Sequence, residues 1–153
     1  MIEALPFVQA LRDSTPLYAA VEVLHTLGFI LLVGSVFFFD LRVLGLARNI
    51  PVAALGRLLL PWSWVALVVI VPTGLMLFSV DADNLLASGV FKLKMALLAA
   101  ALLNGAYFLT TPYQAMKRAS IDAPAPLDAK ISAIASLILW TAVISCGRLL
   151  AYI

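Results

Sequence analysis

Residues Pro16–Phe39 read PLYAAVEVLHTLGFILLVGSVFFF. The run is long enough to cross a bilayer as one helix, because a hydrocarbon core of ~30 Å needs about 20 mostly apolar residues. Two polar groups fall inside it, Glu22 and His25, the latter the only histidine in the chain. An ionisable side chain within a span costs roughly 2.5–3.5 kcal/mol on insertion scales, so it is rarely idle. Thr15 followed by Pro16 reads as a helix start, with an N-cap hydroxyl and a proline at the first helical position.

Three further apolar runs follow. The sequence predicts spans at about 16–39, 58–80, 88–111 and 130–152, in a single transmembrane domain covering residues 1–153. The short connections favour an all-α integral membrane four-helix bundle with up-down-up-down topology. Residues 1–15 mix apolar and charged side chains and predict an amphipathic segment lying in the membrane interface. Asp40-Leu41-Arg42 is expected to end the first span in the headgroup region. Residues 40–57 then form the first loop, with a short surface helix over 51–59, and residues 112–129 form the third. Pro72, inside the second span, removes a helix hydrogen bond and predicts a kink.

Composition agrees. Of 153 residues, 64% are hydrophobic and 12% charged, against about 25% charged in a soluble domain. The mean hydropathy is +1.09. A net charge of +2, with no basic run interleaved with aromatics, excludes a nucleic-acid partner. One cysteine, Cys146, excludes an intrachain disulfide and a cysteine-only metal site. The N-terminal stretch lacks the basic region of a cleavable signal, so the first span is expected to stay as an anchor. No nucleophile–base pair, phosphate-binding glycine loop or zinc motif is present, which leaves enzymatic activity open.

The loops suggest an orientation. Arg42, Arg48 and Arg57 crowd the first loop, and Lys117, Arg118 and Lys130 the third, whereas the second carries Asp81 and Asp83. Positive-inside logic puts loops one and three in the cytoplasm and both termini in the periplasm. Lys92 and Lys94 run against this assignment.

Glu22 and His25 then lie roughly 9 and 14 Å into the first span from the outer side. Lys94 and Arg148 belong to the same half, as do Thr73 and Gly74. These groups are expected to form an outer-side polar pocket in which Glu22 pairs with Arg148, or else with Lys94. Taken singly, Lys94 and Arg148 can equally snorkel to the headgroups. His25 shares an approximate face with Glu22 and Gly28, with Thr73-Gly74 opposite. A glycine one turn from a histidine leaves room for a flat macrocycle, and imidazole is a common ligand of haem b or of a metal ion. With one histidine, such a haem is either five-coordinate or takes its second axial ligand from Met76, Met95 or a histidine of a second subunit. The plainer alternative is a structural histidine bonded to Glu22 or to a neighbouring helix. Asn104-Gly105 reads as helix-packing glue, and the tryptophans as interfacial or packing residues.

Several stretches carry a resemblance: Glu22-Val-Leu-His25-Thr-Leu-Gly28, Gly34-Ser35, Asp40-Leu41-Arg42-Val-Leu-Gly45, Leu60-Pro61-Trp62, Thr73-Gly74, Leu77-Phe78, Phe91-Lys92-Leu-Lys94 and Asn104. The chain resembles an uncharacterised bacterial family of small four-span inner-membrane proteins, a domain of unknown function, over nearly its whole length. The resemblance implies a four-helix fold in a bacterial inner membrane and brings no activity with it. In architecture alone the chain is distantly similar to four-helix b-type cytochromes and copper-resistance membrane proteins. Relatives often carry a further histidine near the end of the third span, where this chain has Tyr107-Phe108-Leu109.

Three functional readings follow. The first is a haem-binding or redox-coupled protein using His25, Gly28 and Gly74. The second is a non-catalytic subunit or scaffold of a larger membrane complex. The third is a small proton-coupled transporter using Glu22, His25, Lys94 and Arg148. The lipid bilayer is a partner in all three, and a homo-oligomer is compatible with each.

Overall fold

A computed structural model describes residues 6–118, 124–150 and 152. The chain is all-α. Its helices are α1 (Pro6–Asp13), α2 (Thr15–Leu44), α3 (Val52–Val80), α4 (Ala82–Ala87), α5 (Gly89–Thr110), α6 (Pro112–Arg118) and α7 (Leu127–Leu149). Four stretches are long and apolar enough to cross a membrane: α2, α3, α5 together with α6, and α7. They run up, down, up and down. Both chain ends therefore share one end of the bundle with the α3–α5 connection. The other end holds the α2–α3 and α6–α7 connections and most of the arginines, and is called the arginine end below.

The most hydrophobic windows of α2 and α7 are 44% and 39% buried, against 11% each in α3 and α5. The inner pair is therefore α2 and α7, with α3 packed on α2 and α5 packed on α7. The flanking helices present apolar outer faces, such as Val68 and Leu103, each 72% exposed. That is what a helix needs where its neighbour is lipid.

The helix α2 begins one residue earlier than the Thr15-Pro16 pair suggests. Ser14 is the N-cap, and its side chain accepts from the amide of Leu17 at 3.4 Å. The same helix also ends later than expected. It continues through Asp40-Leu41-Arg42 to Leu44, so 40–44 is helix rather than loop. Gly45 closes it at φ 116°, with Gly45 N bonding Arg42 O at 3.1 Å and Leu46 N bonding Leu41 O at 2.9 Å. This is a Schellman cap, which favours glycine because the left-handed region is costly for a residue with a Cβ. Asp40 and Arg42, expected at the headgroups, are only 5% and 8% exposed. Arg42 folds back on the connection, donating to Ile50 O at 2.6 Å and to Arg48 O at 3.2 Å. These bonds supply donors to carbonyls that lie beyond the helix.

The predicted surface helix at 51–59 is the start of α3, which remains helical through Pro61 and Pro72. Part of the expected third loop is the helix α6. The amphipathic segment expected in the membrane interface forms the helix α1, docked against α2 and α3. In α1, Val8 and Leu11 are 0% and 1% exposed, packed toward α2 and α3, and Arg12 donates to Val80 O. Residues 1–5 of that segment lie outside the described residues.

Two apolar clusters make the core. One, at mid-height, gathers Leu32, Val33, Ala66, Ala101 and Trp140, with Phe29 edge-on to Trp140 at 6.0 Å. The other fills the arginine end, where Phe39 meets Phe108 at 5.6 Å and Tyr113 at 5.8 Å, both edge-to-face. Such ring pairs contribute beyond their buried area.

Candidate functional site

Polar interior groups lie on either side of the Trp140 cluster. Toward the terminal end, α2 presents His25 to Thr73 and Gly74 of α3. His25 Nδ1 lies 3.0 Å from Thr73 Oγ1. The threonine hydroxyl itself reaches Val69 O at 2.6 Å and Ile70 O at 3.2 Å. One hydroxyl proton cannot serve both the carbonyl and the ring, so in the neutral ring Nδ1 donates and Nε2 keeps its lone pair. Gly74 makes room for the imidazole: a Cβ there sits 3.0 Å from His25 Cε1. Lys94 of α5 is half-buried and close enough to act electrostatically on His25, with its Nζ over Gly147 of α7.

The remaining members of the expected pocket are elsewhere. Glu22 is exposed and, among the described residues, makes no hydrogen bond or ion pair. Arg148 is exposed too and reaches the turn just beyond α7, donating to Tyr152 Oη at 2.8 Å and covering that ring at 5.0 Å. The expected Glu22–Arg148 pair is therefore absent. A tyrosine four residues on satisfies the guanidinium without crossing the bundle. Gly28 does not open a slot either. A Cβ on it meets Ile70 Cγ1 at 3.0 Å and Val69 Cγ1 at 3.3 Å, so α3 fills the space a macrocycle needs. Met95 is 46% exposed. Among the described residues no group of three or more His, Cys, Asp and Glu side chains gathers. Ile70 and Val69 thus fill the Gly28 face, while the Nδ1–Thr73 bond leaves the Nε2 lone pair of His25 uncommitted.

His25 acts here as a pin between α2 and α3. A double-mutant cycle with His25→Leu and Thr73→Val is expected to give a coupling energy of about 0.6–1.7 kcal/mol, the range for hydrogen bonds between membrane helices. Strictly additive effects, measured by unfolding in mixed micelles, refute the pin.

Nearer the arginine end is a site that the sequence reading missed. A cleft of about 310 Å³ runs between α3 and α5, with α2 and α7 behind it. Its walls are largely apolar, and Trp64 and Leu102, 62% and 45% exposed, form its rim. Phe78 stacks on Phe91 at 5.6 Å where α3 and α5 meet at the terminal end. The Phe39, Phe108 and Tyr113 rings occupy the arginine end. Asp40, Ser35, Asn104, Ser132 and Ser136 line the back of the cleft. Asn104 and Ser132 clasp each other: Nδ2 donates to Ser132 O at 3.0 Å, and Ser132 Oγ donates to Asn104 Oδ1 at 2.9 Å. Asn104 is thus the expected glue, joining α5 to α7. Ser136 lies within hydrogen-bonding reach of the Asp40 carboxyl. Asp40 Oδ2 is buried and, among the described residues, has no hydrogen-bond partner.

The signal in the sequence was a repeat rather than a motif. Ser132 and Ser136 sit one turn apart on α7 and share a face, while Asp40 looked like a span terminator because Arg42 follows it.

Fold and site together define a membrane-spanning all-α protein whose interior carries polar groups at two levels. The chain belongs to the family of unknown function DUF6644, whose sequence model matches residues 12–153. No match was found among curated proteins or among solved structures.

Proposed function

We propose that the protein binds a lipid-soluble molecule in the cleft between α3 and α5, with Asp40 as the recognising group, and serves as a small membrane carrier or binding protein. This is a form of the transporter reading, moved from His25 to Asp40. The observation that carries it is Asp40, a cleft-lining residue whose Oδ2 is buried and, among the described residues, has no hydrogen-bond partner. A buried acceptor left unsatisfied costs about 1–3 kcal/mol, and more if charged, so its retention asks for a ligand or a function. A mostly apolar cavity with a few convergent polar groups is the usual form of a small-molecule site. The setting proposed is a bacterial inner membrane, with the arginine end in the cytoplasm.

Gly105 gives the test. It lines the cleft, and a Cβ built on it meets nothing within 4 Å. Gly105→Leu fills the cleft without disturbing the packing behind it. Trp140 is the reporter, because it lines the cleft and is only 3% exposed. With Trp62 and Trp64 changed to phenylalanine, it is the sole tryptophan left of three. Its quenching by ω-bromoundecanol in detergent is expected to saturate. Gly105→Leu is expected to weaken that binding about tenfold, as overfilling a packed site does. Equal quenching in both proteins removes the cleft as the binding site.

A further inference from the structure

We infer that the head group received by Asp40 is a primary ammonium, so that the ligand is an alkylammonium amphiphile. This rests on the cleft reading above. An unpartnered carboxyl oxygen in a wall that holds no cation carries the choice. Part of the wall is already engaged with itself. Ser63 donates to Leu59 O at 3.2 Å, Thr110 to Ala106 O at 2.8 Å, and the Asn104 and Ser132 groups bond within their own clasp. Lone pairs remain: Asp40 Oδ2, the oxygens of Ser35 and Ser136, and the second lone pair of Asn104 Oδ1. A carboxylate only accepts, so the unpartnered Asp40 oxygen suits a head that only donates. An ammonium has three donors and no acceptor, whereas a carboxylate or ketone head has only acceptors.

Charge points the same way. Among the described residues, no lysine, arginine or histidine lines the cleft. Arg42, two residues from Asp40, is committed to the Ile50 and Arg48 carbonyls. A buried carboxylate in a membrane protein pairs with a cation, and here no described residue supplies one. Trp64, Phe108 and Trp140 add aromatic wall, which tolerates a cation better than an aliphatic wall does. The rim at Trp64 and Leu102 lets the alkyl chain stay in lipid while the head enters.

The test compares three probes of one chain length on the Trp140 reporter protein: ω-bromoundecylamine, ω-bromoundecanol and ω-bromoundecanoate. At neutral pH the amine is expected to bind about tenfold more tightly than the alcohol, the increment of one charge-assisted hydrogen bond. The carboxylate is expected to be weakest. Asp40→Asn keeps the volume and is expected to erase the amine preference, with an unchanged helical circular-dichroism spectrum showing that the variant is folded. Ser136→Ala leaves the carboxyl intact and is expected to retain the preference. Competition by phosphatidylethanolamine but not phosphatidylcholine assigns the ammonium to a lipid headgroup; competition by neither assigns it to a free amine. If amine and alcohol bind equally, or if the preference survives Asp40→Asn, the ammonium inference is overturned. In that case the cleft reading still stands, provided that the alcohol remains sensitive to Gly105→Leu. If no probe is sensitive to Gly105→Leu, the cleft reading itself fails.

Discussion

Gly28→Leu is expected to destabilise the bundle by about 3 kcal/mol, the upper end of the overpacking range. Gly28 is buried where α2 crosses α3, and its missing Cβ is what lets the two helices approach. A Cβ there stands 3.0 Å from Ile70 Cγ1, 3.3 Å from Val69 Cγ1 and 3.6 Å from Ala66 O. The last contact is backbone, which cannot step aside as a side-chain tip does, and Ala66 is itself 0% exposed. Between membrane helices no hydrophobic gain compensates a lost fit, because lipid tails are as apolar as leucine; packing is the main attraction. The intrinsic helix preference of leucine over glycine returns about 0.8–1 kcal/mol, which is too little to reverse the sign. Separation also stretches the His25–Thr73 bond one turn away. Gly28→Ala asks the neighbours to yield by only tenths of an ångström and is expected to stay within about 1 kcal/mol of the wild type. Unfolding in mixed micelles measures both. A leucine variant as stable as the parent shows that α2 and α3 do not meet at Gly28.

The all-α fold was legible because membrane spans announce themselves by length and by the exclusion of charge, and both survive in a single sequence. Helix limits were less legible. Asp40-Leu41-Arg42 satisfies every rule for a span end, yet the helix runs on, because both charges find protein instead of water. Nothing local distinguishes the two cases; the difference lies in which helix stands opposite. Gly28 shows the same limit from the other side. A gap beside a histidine reads as room for a ligand until Ile70, some forty residues on, is seen to fill it. The Thr73-Gly74 pair was legible through depth matching alone, since antiparallel helices place residues equidistant from their shared end at one level. Glu22 and Arg148 met that criterion as well and yet face outward, because depth fixes height and says nothing about rotation around the helix. The cleft was not legible for a related reason. Asp40, Asn104, Ser132 and Ser136 come from three helices, and their meeting depends on α2 and α7 being the inner pair.

Trp140→Ala is expected to be as damaging as Gly28→Leu or more so, at about 3–5 kcal/mol, the cost of removing a large aromatic side chain from a packed core. Trp140 is 3% exposed and belongs to the mid-height cluster with Leu32, Val33, Ala66 and Ala101. Its ring meets Phe29 edge-on, at 6.0 Å and 66°, so α7 grips α2 through this pair. It is also the seam between two features with different needs. On one side it is core; on the other it walls the cleft that holds Asp40. Removing it therefore opens the cleft into the core and leaves a void that neighbouring side chains refill only in part. Trp62 supplies the contrast. It is 52% exposed on α3, faces lipid, and as alanine is expected to change stability by about 0.5 kcal/mol or less, as surface substitutions do. The comparison separates packing from interfacial anchoring, the two roles open to a membrane tryptophan. Equal losses for the two variants show that Trp140 serves as an anchor rather than as the centre of the core. A large loss at Trp140 alone places it between the two inner helices. The enlarged cleft of the alanine variant is then expected to admit a branched-chain bromoalcohol that the parent excludes, read from quenching of a tryptophan kept at position 64.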